Sequence, residues 1–136
     1  MATFTKFQPF VEDLAEGVHD LGSDTLTVAL TNSAPNATDD QLSDITEISY
    51  TNCSARALTV SASSQTDGTY KLVVDDLTLT ASSGTVGPFR YIVIYNDDAT
   101  NDELICYFDY GSSITLADGE SLQLDFSADN GLLTLA

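Results

Sequence analysis

Residues 87–98 read GPFRYIVIYNDD, and this stretch constrains the fold more than any other. Phe89, Tyr91, Val93 and Tyr95 fall on one parity, Ile92 and Ile94 on the other. β-Branched and aromatic residues at this density, bounded by Gly-Pro before and Asn-Asp-Asp after, describe a strand. A strand with one face in water alternates apolar with polar residues. This one is apolar on both faces, so both need cover. Residues 103–110, ELICYFDY, have the same character. The inner face of such a sheet belongs to the chain's own core. The outer face needs either the N-terminal helix or a sister subunit.

The remaining chain also reads mostly in period two. TLTVALT, residues 25–31, places Leu26, Val28 and Leu30 inward and Thr25, Thr27 and Thr31 outward, the pattern of a half-buried strand. A polar connection, NSAPNATDDQLSD, follows. Short strands are predicted over residues 47–51 and 57–62. Asp67-Gly68 then supplies the positive φ of a hairpin turn. In the next strand Tyr70, Leu72 and Val74 share one parity, while Leu77 and Leu79 take the other. The slip at Asp75-Asp76 marks a bulge or a corner between sheets. Further hairpins are predicted around Asp118-Gly119 and Asn130-Gly131.

Only the beginning of the chain has helical spacing. Phe4, Phe7, Val11, Leu14 and Val18 recur at threes and fours, with Glu12, Asp13 and Glu16 opposite. Pro9 suits a first turn and Gly17 a stop, which predicts a short helix over residues 9–16 behind an aromatic-rich arm. Phe4, Phe7 and Phe10 need an apolar home, either the chain's own sheet or a neighbouring subunit. The expected architecture is one mainly β domain over residues 1–136. It is an antiparallel β-sandwich or jelly-roll-like fold of about eight strands, with residues 1–21 as N-terminal arm and short helix.

Charge limits the partners. Twenty-one acidic residues face four basic ones, Lys6, Arg56, Lys71 and Arg90, for a net charge of −17. Phosphate backbones and anionic membranes would repel such a surface, so neither nucleic acid nor membrane is an expected partner. No apolar run approaches the roughly 18–20 residues that cross a bilayer, and no basic-then-apolar secretory signal is apparent. Cys53 and Cys106 read as buried thiols, with a disulfide as the alternative.

No constellation carries chemistry. The single histidine, His19, closes the helical segment beside Asp20, the place of a locally hydrogen-bonded helix-end residue. GxSxG, HExxH, CxxC and phosphate-binding glycine loops are all missing. Asp97, Asp98, Asp102 and Glu103 in one loop, and Asp39, Asp40 and Asp44 in another, offer oxygen ligands suited to structural calcium, but neither follows the spacing of a calcium loop. A sugar-cleaving carboxylate pair would want an aromatic cleft, and the chain has no tryptophan. The sequence therefore reads as non-enzymatic and without a cofactor.

Three segments read together, FVEDLAEGVHDLGSDTLTVALTNSAPN, GPFRYIVIYND and DYGSSITLADGESLQLDFSADNGLLTLA, carry a resemblance. Over nearly its whole length the chain resembles small virion proteins of tailed bacteriophages and prophages, several of which decorate or cement the head. The resemblance implies a structural protein made in the host cytoplasm and placed on the outer surface of the head. It implies the major capsid protein as partner, and the local three-folds of a capsid invite a homotrimer. It transfers no binding or catalytic residues. The residues themselves suggest Phe4, Lys6, Phe7 and Phe10 of the arm, with Tyr91 and Tyr95 of the two-faced strand, as the capsid or subunit interface. Competing expectations are a tail- or fibre-associated module contacting the host surface, and a neck or tail-completion protein.

Overall fold

Antiparallel pairing organises every sheet of the protein. The computed structural model describes residues 3–136 and contains nine strands and one short α-helix. In chain order they are β1 (Thr3–Lys6), α1 (Pro9–Ala15), β2 (Leu26–Thr31), β3 (Val60–Thr66), β4 (Thr69–Val74), β5 (Leu77–Thr80), β6 (Val86–Asn96), β7 (Leu104–Leu116), β8 (Ser121–Leu124) and β9 (Leu133–Leu135). β1, β7, β6 and β2 form the largest sheet, in that order; β3, β4 and β9 form a second, and β5 and β8 a third. Apolar side chains from all three sheets and from α1 meet in one core. The fold is mainly β, as the period-two pattern requires.

Local signals hold where the chemistry is local. Asp67 and Gly68, at φ +51° and +84°, close the β3–β4 hairpin. The slip at Asp75-Asp76 is a corner: β4 pairs in the second sheet and β5 in the third. Pro9 opens α1, and Gly17 follows its end at φ +82°.

Several expectations need correction. Residues 47–51 form no strand, and the strand expected over 57–62 begins at Val60 and runs to Thr66. The turns at Asp118-Gly119 and Asn130-Gly131 exist, yet neither makes a hairpin with the strand next in sequence. β8 pairs with β5, and β9 with β4. β2 is buried at all six positions, Thr27 and Thr31 included, because more chain lies along its free edge and outer face. On α1 only Phe10 is fully buried; Val11 is 52% exposed, since the helix is too short to present a continuous apolar stripe.

The cover of β6 is now explicit. Leu26, Val28 and Leu30 pair opposite Asn96, Ile94 and Ile92, and these side chains share the inner face. Thr27, Ala29 and Thr31 pair opposite Tyr95, Val93 and Tyr91 on the outer face. The chain itself closes that outer face. Phe7 packs on Tyr107 with ring centroids 5.1 Å apart. At the other end, residues 45–56 run along β2. The Ile48 N–H donates to the Leu30 carbonyl, the Tyr50 hydroxyl accepts the Leu30 N–H, and the Arg56 guanidinium lies 3.6 Å over the Tyr50 ring. Ala29 and Val93 have no exposed surface as a result, so a sister subunit is not needed to bury them.

Gly131 marks a point where backbone passes close to backbone. It stands at φ +76°, and a Cβ there would lie 2.6 Å from the Leu72 carbonyl oxygen. Gly119, at φ +86°, has open space around it. Gly131→Ala is therefore expected to cost about 2 kcal/mol or more, combining left-handed strain with a clash against sheet backbone. Gly119→Ala is expected to cost about 1 kcal/mol, from conformation alone. Urea denaturation of the two variants measures the difference.

Candidate docking surface

Burial falls off along one row of the large sheet. Leu30, Ile92, Phe108 and Phe4 are successive cross-strand partners on β2, β6, β7 and β1, so they share a face. Leu30 is fully buried and Ile92 nearly so, Phe108 is half-buried, and Phe4 is 42% exposed. The neighbouring row does the same: Val28, Ile94 and Cys106 are fully buried, and Lys6 is exposed. The opposing layer thus covers β2 and β6 and stops above β7. β1 overhangs it.

Beside that overhang, a cleft of about 450 Å³ is lined by Ile92, Phe108, Tyr110, Gln123, Leu124, Asp125 and Phe126. Phe108 stands edge-on to two other rings, Phe4 at 5.6 Å and Phe126 at 6.0 Å. Tyr110, 45% exposed, lies beside them. Phe126 is held by its backbone, whose N–H donates to Asp76 Oδ1 at 2.8 Å; Gln123 Nε2 donates to Asp76 Oδ2 at 3.3 Å. Phe4, Phe108, Tyr110 and Phe126 form an accessible aromatic surface with Asp76 and Asp125 at its edge. Aromatic rings on a preformed surface are the usual anchors of a protein interface.

The residues singled out in the sequence divide between this surface and the core. Phe4 and Lys6 belong to the overhang. Phe7 and Phe10, at 0% and 2% exposure, complete the chain's own core, so they are removed from the interface set. Tyr95 is buried as well, and burial, followed by Asp97, raises its phenol above the usual range. Tyr91 is half-buried on the outer face, edge-on to Tyr107 at 6.3 Å. The sequence reading missed Phe126, which lies outside any strand, and did not set Phe108 beside Phe4; the alignment of their strands alone brings them together.

Three of the four basic side chains already have partners. Arg90 makes a bidentate pair with Asp109, at 2.8 and 3.1 Å. Its hydrogen bonds, with that from the Gly111 N–H, hold the Asp109 carboxyl below the usual range. Arg56 donates to the Val28 carbonyl, and Lys71 Nζ to the Asp129 carbonyl at 2.9 Å. Lys6 makes no hydrogen bond or ion pair among the described residues. The surface around the cleft therefore favours a partner bringing apolar groups and positive charge.

The acidic loops are built into local structure. Asp98 accepts the Thr25 N–H at 2.6 Å, Asp44 accepts those of Asp40 and Gln41, and Asp39 accepts that of Asn36. Among the described residues no three His, Cys, Asp or Glu side chains gather as a metal would require. Both cysteines are free thiols. Burial raises the Cys106 thiol far above its usual value, leaving it unreactive in the fold. His19 does not bond locally. It is buried, with Nδ1 3.0 Å from Asn96 Nδ2, a contact 77 residues away in sequence.

No protein-family model, curated protein or solved structure matches the chain. No helix among the described residues is long and apolar enough to cross a membrane.

Proposed function

We propose that the chain is a non-enzymatic structural protein of a tailed-bacteriophage virion, a head decoration or cement protein that binds the outer capsid surface and stabilises the shell. The aromatic surface formed by Phe4, Phe108, Tyr110 and Phe126 is the observation that carries this reading, because it supplies a preformed contact on an otherwise acidic molecule. The resemblance of the three sequence segments supports the choice of partner, the major capsid protein. Charge supports it as well: a net −17 disfavours self-aggregation in solution and non-specific contact between particles. The shell site would bring apolar side chains to the cleft and positive charge toward Asp76 and Asp125. Lys6, beside Phe4, would meet an acidic group. Three copies around a local three-fold of the shell form a closed ring, each presenting the same surface.

Gold-labelled antibody raised against the purified chain locates it on intact particles of the phage or prophage that encodes it. Dense label over the heads is the expected result. Label confined to the tail or its tip would replace the cement reading with host attachment, and an unlabelled virion would remove both.

A further inference from the structure

Strand β8 has a strand partner on one side only. It pairs antiparallel with β5, from Ser121 opposite Thr80 to Leu124 opposite Leu77, and no third strand joins this sheet. The far edge of β5 is closed: Cys53 bridges to Ala81, and the Ser54 N–H donates to the Thr80 carbonyl at 3.0 Å. The far edge of β8 has no such cover among the described residues. It also lacks the usual guards of an exposed edge, since Ser-Leu-Gln-Leu contains no lysine, no proline and no bulge.

Hydrogen bonds at its two ends show which backbone groups face outward. Just before β8 the Glu120 carbonyl accepts the Ala81 N–H at 2.9 Å, and just after it the Phe126 N–H donates to Asp76 Oδ1 at 2.8 Å. Even-numbered residues thus turn their backbone groups toward β5 and the corner that precedes it. Successive residues of a strand alternate in this respect, so the N–H and C=O of Ser121, Gln123 and Asp125 point away from β5. They have no hydrogen-bond partner there among the described residues.

This edge opens on the aromatic cleft. Gln123 and Leu124 point to opposite faces of β8, yet both line the cleft, with Ile92 and Phe108 from the large sheet, and no residue of β5 does. The cleft therefore runs along the open side of β8. β3 has a free edge too, but residues 61–66 are exposed on both faces and offer no apolar floor. Unpaired strand backbone beside an apolar floor is the surface that recognises an extended polypeptide.

Alternation fixes the chemistry of the occupant. Leu124 is buried while Gln123 and Asp125 are exposed, which marks the inner and outer faces of β8. A strand laid beside it turns every second side chain inward, toward Phe108, and the others outward, beside Gln123 and Asp125. Asp76 adds a second carboxylate to that outer row, where it accepts from Gln123 Nε2 at 3.3 Å. A second copy of the chain, itself at net −17, is a poor match for that row. We propose that the cleft is a strand-addition site, in which an extended segment of a partner protein, apolar on one face and basic on the other, pairs with the open edge of β8 and seats its apolar face on Phe108. The strand site rests on the reading of the aromatic surface as a docking surface, and gives the form in which the partner is held.

A capped peptide, Lys-Val-Thr-Val-Lys-Val-Thr-Val-Lys, carries this alternation and serves as the probe for the full chain. At a concentration that fills about nine-tenths of the sites, amide exchange at Gln123 and Asp125 is expected to slow about tenfold. Two N-methylated peptides keep every side chain, one blocking the valine N–H groups and the other those of lysine and threonine. One of the two blocks the N–H groups that face β8 and is expected to bind about tenfold more weakly, while the other binds as the parent does. Unchanged exchange at Gln123 and Asp125 with the parent peptide overturns the strand site, as does equal binding by all three peptides. Protection of the same amides in a dimer without peptide overturns it in favour of a second copy. Phage heads separate the strand site from the docking reading. Protection of Phe4 and Tyr110 on heads, with Gln123 and Asp125 still exchanging freely, overturns the strand site alone. Peptide pairing at those amides without binding to heads supports it and removes the virion partner.

Discussion

Phe7→Ala is expected to lower the free energy of unfolding by about 3–5 kcal/mol, a large part of the 5–15 kcal/mol typical of a folded domain. Phe7 has no exposed surface, its ring packs against Tyr107, and its N–H donates to the Ile105 carbonyl at 3.2 Å. Truncation leaves a cavity between the arm and β7 that neither backbone can close while that hydrogen bond persists. Phe4→Ala, on a ring 42% exposed, is expected to cost no more than about 1 kcal/mol. Urea unfolding followed by circular dichroism measures both. Wild-type stability in Phe7→Ala would return Phe7 to the set of available contacts. Point substitutions separate core from surface here, whereas deleting residues 2–8 would remove β1 and Phe7 together.

Under the proposed decoration role, Phe4→Ser combined with Phe126→Ser is expected to weaken binding to phage heads by about a hundredfold or more. Well-packed aromatic anchors each contribute about 2 kcal/mol or more to an interface, and adjacent anchors do not add independently. Both rings pack edge-on to Phe108, at 5.6 and 6.0 Å, so losing both removes its two ring-on-ring contacts among the described residues. Tyr91→Ser is expected to leave binding unchanged, because Tyr91 lies on the opposite face of the sheet. Co-sedimentation of each variant with purified heads measures the ratio. Equal binding by the double variant would move the contact elsewhere.

The parts of the fold legible in the sequence are those set by one or two neighbouring residues. The two-sided apolar pattern of β6 announced a strand covered on both faces, and Asp67-Gly68 announced a hairpin. Asp118-Gly119 carried the same turn signal, yet the chain reverses there and its next strand joins β5. Turn chemistry specifies a change of direction; the choice of partner edge depends on which apolar faces remain open. Lys6 and Phe4 were visible as an arm with a positive charge, while the burial of Phe7 depended on how far the opposing layer reaches. Phe126 continues the period-two pattern of Leu122 and Leu124, but it lies past the end of β8 and is placed by Asp76, fifty residues earlier.

Hydroxyl-radical footprinting of the chain free and bound to heads tests the docking surface most directly. Loss of reactivity at Phe4, Tyr110 and Phe126, with Tyr70 of β4 unchanged, is the result this account requires. Protection confined to the β3–β4–β9 sheet, with the three aromatics as reactive as in the free protein, would contradict it.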